Sequence, residues 1–83
     1  MTATPDLVLI PPKSHGKYWT GGETCDFCHV ICTGDLFDAA TFSGPWATMC
    51  LKCAHQNCHM KMGLGRGQHY KQTTDGRWLK VAG

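Results

Sequence analysis

Two Cys-x-x-Cys pairs are the residues of this chain whose type and spacing fit a specific chemistry: Cys25 and Cys28, followed by Cys50 and Cys53. The two sulfurs of such a pair can reach one ion, and two pairs supply the tetrahedral set of four thiolates that zinc prefers. The 21 residues between the pairs are close to the roughly 15–20 residues expected between the pairs of a zinc ribbon. We therefore predict one structural Zn²⁺ bound by these four cysteines.

Other cysteines and histidines leave alternatives to this ligand set. Cys32 could replace Cys28, and His55 or His59 could replace Cys53. Cys58, His55 and His59 could bind a second zinc, but no fourth ligand is evident, so we do not predict a second zinc site. Otherwise the two extra cysteines are expected to be small buried hydrophobes or bystander thiols. The sequence assigns no role to five residues: Cys32, Cys58, His29, His55 and His59.

The predicted metal site does not match the pattern of a catalytic zinc. Catalytic zinc usually keeps three protein ligands and one open position, with an acid or base nearby. The sequence contains neither the zinc-deaminase signature nor a His-Glu-x-x-His motif. We therefore expect no enzymatic activity, no catalytic residues and no small-molecule substrate.

The length and the N-terminal composition favour a metal over disulfides as the source of stability. A chain of 83 residues buries only about 60% of its unfolded surface, so it usually needs disulfides or a metal. The apolar run at residues 7–10 is too short for a signal peptide, which needs about 7–15 apolar residues. No stretch reaches the roughly 20 apolar residues of a membrane span. We expect a cytoplasmic location with reduced thiols and no membrane partner.

Short elements separated by turn residues predict a small metal-stabilised, mostly-β domain, a zinc ribbon with two Cys-x-x-Cys knuckles. Residues 1–22 contain several prolines and glycines and are predicted to form an extended arm, whereas residues 23–83 form the zinc-ribbon domain. Within the domain we predict short strands at Leu36-Phe37 and at Thr41-Phe42. Residues 54–62 are expected to form one to two helical turns.

A C-terminal β-hairpin is the clearest predicted element. Residues 69–73 and 77–81 alternate in polarity, and Thr74-Asp75-Gly76 between them is a typical turn. Tyr18 and Trp19 are expected to pack the arm onto the domain, because aromatic rings bury large areas. The β core is predicted to form around five aromatic side chains: Phe37, Phe42, Trp46, Tyr70 and Trp78.

The basic residues are concentrated in the C-terminal half. Residues 1–49 carry two lysines and five acidic side chains, a sum of −3, whereas residues 50–83 carry six basic side chains and one aspartate, a sum of +5. Alternate glycines in the basic half, Gly63, Gly65 and Gly67, permit exposed backbone amides that can form an anion-binding nest.

Nucleic-acid or partner binding is the function that this basic half predicts. The cationic contacts would come from Arg66, Lys71, Arg77 and Lys80, and an aromatic ring, Tyr70 or Trp78, would stack on bases. The alternative is that the glycines only let the chain fold tightly around the zinc module. Both rings would then belong to the core or to cross-strand pairs.

Three segments resemble a group of short zinc-ribbon proteins found in bacteriophages and their hosts. They are residues 37–50, the shortened glycine segment at residues 63–70 and the closing residues 75–83. The resemblance covers about residues 25–83 and implies a zinc-binding protein in a bacterial cytoplasm, in a group whose members mostly have no assigned activity. Residues 55–59 depart from the group, and residues 1–22 have no counterpart in it.

Three functions follow as hypotheses. The first is a non-enzymatic, phage-like accessory protein that contacts nucleic acid or a nucleic-acid-processing host protein. The second is a protein–protein interaction module that binds and inhibits a host protein, for instance a defence component, with residues 7–10 extending a partner's sheet. The third is a small transcription regulator acting on RNA polymerase, which rests on a weaker resemblance to regulators of the DnaK-suppressor type. Those regulators carry a long helix that the prolines and glycines of residues 1–22 cannot form.

Overall fold

The computed structural model of the protein describes residues 18–83. Their elements, in chain order, are β1 (Asp35–Ala40), β2 (Trp46–Met49), α1 (Leu51–Asn57), β3 (Gly67–Gln72) and β4 (Trp78–Ala82). The strands form one antiparallel sheet in the order β2-β1-β3-β4. This architecture confirms the mostly-β prediction. Residues 7–10, which were expected to extend a partner's sheet, lie outside the described residues, and the arm boundary at residue 22 stays a prediction.

The central strand β1 is longer than predicted and contains the residues that were expected to separate two strands. It pairs with β2 on one side and with β3 on the other, so every position from Asp35 to Ala40 lies in the sheet. Leu36, Phe37 and Ala39 are buried. Pairing on both edges outweighs the low strand propensity of the Asp-Ala-Ala segment, as tertiary context often does.

The predicted strand at Thr41-Phe42 is wrong, because these residues begin the turn between β1 and β2. The Thr41 backbone N–H donates to the Pro45 carbonyl at 3.0 Å, and its hydroxyl donates to the same oxygen at 2.7 Å. Gly44 has a φ of 109°, a conformation that residues with a side chain rarely adopt. The Thr41 hydrogen-bond donors are therefore satisfied within the turn, and Thr41 and Phe42 lie outside both strands.

The C-terminal hairpin is confirmed, with the first strand beginning two residues earlier than predicted. Gln72 pairs with Trp78, and the Thr73 backbone N–H donates to the Arg77 carbonyl at 2.6 Å. Asp75 organises the turn, because its carboxylate accepts from the Thr73 hydroxyl and from the Arg77 backbone N–H. A register shift in this strand pair lies between His69 and Tyr70.

The core contains three of the five aromatic residues predicted for it. Phe37, Tyr70 and Trp78 are buried, and they pack with Leu36, Met49 and several cysteines. The prediction is wrong for Phe42 and Trp46, which are 58% and 49% exposed. Both lie at the β1–β2 turn, where the chain leaves the core.

The helix α1 begins earlier than predicted and ends sooner. It follows Cys50 directly, and the Cys58 backbone N–H closes its last turn by donating to the Ala54 carbonyl at 2.9 Å. Met60 has a left-handed φ of 60°, so the chain cannot continue as a helix to residue 62. Within residues 18–83, α1 is too short to cross a membrane.

The segment ahead of β1 that contains Tyr18 and Trp19 packs beside the outer strand β4. Trp19 lies beside β4, where its backbone N–H donates to the Trp78 carbonyl at 2.9 Å and its ring lies 5.5 Å from that of Tyr70. Tyr18 forms an isolated β-bridge with Leu79. These contacts confirm that Tyr18 and Trp19 pack onto the domain.

Candidate metal centre

The structure brings together the four cysteines of the two Cys-x-x-Cys pairs. Their Sγ atoms all lie within 4.8 Å of one another: Cys25, Cys28, Cys50 and Cys53. The Sγ atoms of Cys28 and Cys50 are 3.8 Å apart. Two sulfurs bound tetrahedrally at the usual Zn–S distance of about 2.3 Å would be separated by about 3.8 Å. The donor set and its spacing therefore fit a tetrahedral metal ion.

A small loop positions the first pair. The Cys25 backbone N–H donates to the Val30 carbonyl, and the His29 backbone N–H donates to the Cys25 carbonyl, both at 2.9 Å. Thr24 and Ile31 form a β-bridge at the base of this loop. His29 adopts a left-handed φ of 61°, which tightens the turn after Cys28. The chain thus presents both sulfurs of the pair on one short loop.

The junction between β2 and α1 positions the second pair. Cys50 is the N-cap residue of the helix, and its side chain makes no capping hydrogen bond. Its sulfur therefore belongs to the cysteine cluster rather than to the helix terminus. Cys53 lies in the first helical turn and is buried.

The electrostatics of the cluster favour a bound cation. Burial alone would raise the pKa of Cys25, but backbone N–H groups of Cys28, Cys50 and Phe27 donate to its sulfur and lower the pKa to about 6. For Cys53, burial and the neighbouring thiols raise the pKa to about 12. One thiolate is readily accommodated, but additional negative charges a few ångströms away need a positive ion between the sulfurs.

The alternative ligands do not join this cluster. Of the described residues, the four cysteines form the one group of three or more Cys, His, Asp or Glu side chains close enough to share an ion. Cys32 is buried, and burial together with the nearby thiolates raises its pKa to about 12. Cys32 is therefore a small buried core residue, which the sequence analysis gave as the alternative to its being a metal ligand. His55 and His59 lie outside the cluster.

The basic residues do not form a single unpaired surface. Lys71 Nζ lies 3.2 Å from the Asp35 carboxylate. Arg77 Nε lies 2.6 Å from the Asp75 carboxylate, and its guanidinium is 4.3 Å from the centre of the Tyr18 ring. Two of the four predicted contact residues therefore interact with acidic side chains of their own domain. The other two are Arg66, which is exposed, and Lys80, which is half-buried.

Base stacking by Tyr70 or Trp78 is contradicted by their burial. Tyr70 is 5% and Trp78 3% exposed, so neither ring has a free face for a base. The Tyr70 hydroxyl donates to Gln68 Oε1 at 2.6 Å, and Trp78 Nε1 donates to Glu23 Oε1 at 2.6 Å. Both rings are core side chains with satisfied polar atoms, which is the alternative that the sequence left open.

The glycine segment is a tight turn rather than an open anion nest. The backbone N–H groups of Gly63 and Gly67 donate to each other's carbonyls at 2.9 and 3.0 Å, and that of Arg66 also donates to Gly63. These amides are therefore unavailable to an anion. Gly67 pairs with Ala39 of β1 so closely that a Cβ there would lie 2.9 Å from the Ala39 Cα. The glycine at this position is required by packing.

The sheet carries an aspartate–histidine pair that the sequence did not predict. His69 Nε2 lies 2.7 Å from Asp35 Oδ1, and the His69 ring stacks on Phe37 with centroids 4.2 Å apart. The residues of the pair are 34 positions apart, and only the register between β1 and β3 makes them neighbours. No local signal in the sequence identifies the pair.

Comparison of the chain with models of known families, with curated proteins and with solved structures finds no match. The resemblance to phage-type zinc-ribbon proteins therefore rests on the sequence motifs alone. What the geometry itself establishes is a small four-stranded antiparallel domain with four cysteines placed to hold a metal ion.

Proposed function

We propose that this protein is a non-catalytic binding module whose fold is stabilised by one Zn²⁺ at Cys25, Cys28, Cys50 and Cys53. The observation that carries the proposal is the convergence of the four Sγ atoms within 4.8 Å. A set of four thiolates without carboxylates or water-bearing positions is typical of structural zinc.

The position of the cluster explains why a metal would stabilise this fold. It joins the loop ahead of β1 to the junction of β2 and α1. Two hydrogen bonds also link these segments: the Asp26 backbone N–H donates to the Thr48 carbonyl at 2.8 Å, and the Thr48 backbone N–H donates to Asp26 Oδ2 at 2.7 Å. The core of an 83-residue chain is small, so zinc binding of about 10–16 kcal/mol would dominate its stability.

A protein is the partner class that the surface supports best. Residues 23–32 form the loop that carries Cys25 and Cys28, here called the metal loop. Three of its apolar side chains are strongly exposed: Phe27 by 44%, Val30 by 62% and Ile31 by 65%. Exposed apolar side chains concentrated on one loop are typical of interaction sites. A protein-binding role, such as inhibition of a host protein, agrees with the phage-like resemblance of the sequence.

Nucleic-acid contact is the second candidate. Its support is the charge of +5 over residues 50–83 and the exposure of Arg66. It is weakened by the internal pairing of Lys71 and Arg77. A regulator of RNA polymerase would combine both partner classes and rests on the cysteine pairs alone.

Metal content decides the first part of the proposal. Elemental analysis and native mass spectrometry of the purified protein should show one zinc per chain, and a strong chelator should unfold the domain. A folded protein without bound metal, or a redox-active iron centre in place of zinc, would contradict it.

Partner capture from a bacterial lysate decides the second part. The zinc-loaded protein should retain a protein partner at moderate salt, and the double variant Phe27→Ser/Ile31→Ser should lose it. Val81→Ser is the matched control, because Val81 is also apolar and 47% exposed but lies on β4. Co-purifying nucleic acid that is released between low and moderate salt would instead support the second candidate.

A further inference from the structure

A cavity beside the C-terminal end of α1 is lined by sulfur and imidazole side chains that play no part in the four-cysteine cluster. Its volume is about 410 Å³. The lining includes a thiol, two thioethers and an imidazole from one short stretch of chain: Cys58, Met60, Met62 and His59. The stretch, Cys-His-Met-Lys-Met, has no role in the proposed function.

Two of the three sulfur atoms lie close enough to bind one ion. Cys58 Sγ lies 3.8 Å from Met60 Sδ, the same separation as between Cys28 and Cys50 in the metal cluster. Two sulfurs that share an ion at about 2.3 Å lie about 3.8 Å apart. Cys58 itself is only 4% exposed, so its sulfur is shielded from water.

The backbone conformation produces this arrangement. Met60 has a left-handed φ of 60°, which is unfavourable for a residue with a long side chain. The reversal that it causes places Met60 back beside Cys58, two positions earlier. Met62 lines the same cavity.

We propose that this cavity is a second metal site, selective for a soft monovalent cation such as Cu(I). Thiolate and thioether sulfurs together suit Cu(I), whereas the usual protein ligands of zinc are thiolates, imidazoles and carboxylates. On binding, Cys58 would release its thiol proton to solvent, and Met60 and Met62 would contribute uncharged sulfurs. His59 is available as a nitrogen donor.

The surrounding charge favours a monovalent over a divalent ion. Lys61 and Arg66 also line the cavity. One thiolate and one Cu(I) form a neutral complex, which neighbouring cations tolerate. A divalent ion on the same single thiolate would keep a positive charge close to both basic side chains, at an unfavourable Coulomb energy.

Anaerobic copper titration of the zinc-loaded protein tests the site. Cu(I) is supplied from a bicinchoninate buffer, native mass spectrometry reports the zinc and copper content, and NMR follows the ε-methyl signals of the methionines. The expected species carries one zinc and one copper. The methyl signals of Met60 and Met62 should shift, and the signal of the buried core residue Met49 should not.

Variants identify the ligands. Cys58→Ala should weaken copper binding by about 100-fold, and Met60→Leu and Met62→Leu should each weaken it by about tenfold, because soft sulfur donors are lost. The leucine variants keep the apolar volume, so they remain informative even if Cys58→Ala folds poorly. Cys32→Ala and Met49→Leu are controls that should bind copper normally.

Two results would overturn the site. In one, Cu(I) replaces zinc in the four-cysteine cluster while the Met60 and Met62 methyl signals stay in place. In the other, copper binds to the zinc-loaded protein but Met60→Leu and Met62→Leu bind it as tightly as the unsubstituted chain. Neither result contradicts the proposed zinc site, because its zinc occupancy is measured in the same spectra before copper is added.

Discussion

The Sγ atoms of Cys28 and Cys50 lie 3.8 Å apart although the residues are separated by 22 positions in the chain. One sulfur comes from the loop ahead of the sheet and the other from the first residue before α1. Closing a loop of this length costs conformational entropy that the small core must offset. An ion shared by the two sulfurs would supply that free energy locally.

Substitution of a cluster cysteine is therefore expected to unfold the domain. Cys50→Ser should lose the metal, and with it the greater part of the binding free energy of about 10–16 kcal/mol. Amide NMR spectra should collapse to the narrow dispersion of an unfolded chain. Cys32→Ala is the control: that thiol is buried but outside the cluster, so the variant should stay folded with one zinc. A Cys50→Ser protein with dispersed amide signals would refute the prediction.

Gly67→Ala is expected to destabilise the sheet more than Gly65→Ala. Both glycines have a positive φ, 157° and 76°, but an added Cβ meets the Ala39 backbone only at Gly67 and open space at Gly65. Gly65→Ala should cost about 1 kcal/mol for the left-handed conformation. Gly67→Ala should cost about 1–3 kcal/mol more because β1 and β3 must separate. Urea unfolding of the zinc-loaded proteins measures both, and equal costs would show that the contact with Ala39 is unimportant.

Asp38→Asn is expected to stabilise the protein at pH 7. Burial raises the pKa of Asp38 above its ordinary value. A raised folded-state pKa means that protonated Asp38 favours folding. This contribution is fully present below the unfolded-state pKa of about 3.9 and is lost as the pH rises through the folded-state pKa. The ionised carboxylate thus opposes folding at pH 7, and the neutral amide should raise the melting temperature by about 2–4 °C.

Asp75→Asn is the control for that experiment, because it is expected to change the melting temperature in the opposite direction. The Thr73 hydroxyl, the Arg77 backbone N–H and the Arg77 side chain hold the pKa of Asp75 below its ordinary value. Its contribution to stability is present above about pH 3.9 and is lost as the pH falls through the lowered pKa. At pH 7 the substitution should therefore lower the melting temperature. Shifts of the same sign in both variants would contradict the assignment of these two environments.

The hydrogen bond from Trp78 Nε1 to Glu23 Oε1, 2.6 Å long, is expected to couple the metal loop to the last strand. Glu23→Ala and Trp78→Phe should each cost about 1–2 kcal/mol, which in the first variant includes the buried indole N–H left without its acceptor. The double variant should cost less than the sum, because both changes break the same bond. Additive costs in urea unfolding would show that the bond contributes little.

The parts of this molecule that the sequence predicts are those with local signals. The spacing within each Cys-x-x-Cys pair already limits where two sulfurs can point. The alternation on either side of Thr74-Asp75-Gly76 likewise defines a hairpin without reference to the rest of the chain. Both features appear in the structure with small changes at their boundaries.

The parts that sequence reasoning missed depend on contacts between distant residues. Asp38 resembles a turn residue until β2 and β3 pair on both sides of β1. Phe42 and Trp46 resemble core residues, but their places at the end of a hairpin leave them exposed. The requirement for glycine at position 67 arises only because Ala39 lies opposite. In each case the deciding neighbour is set by strand register, which no short motif encodes.

The contacts at the outer strands also bear on self-association. Unpaired strand edges are the usual templates on which identical chains add to one another and aggregate. Here Asp26 occupies the backbone groups of Thr48 on β2, and Trp19 occupies the carbonyl of Trp78 on β4. Asp26 lies between two of the clustered cysteines, so a chain that loses its metal would uncover the β2 edge as the loop detaches. Metal depletion would then lead to intermolecular strand pairing as well as to unfolding.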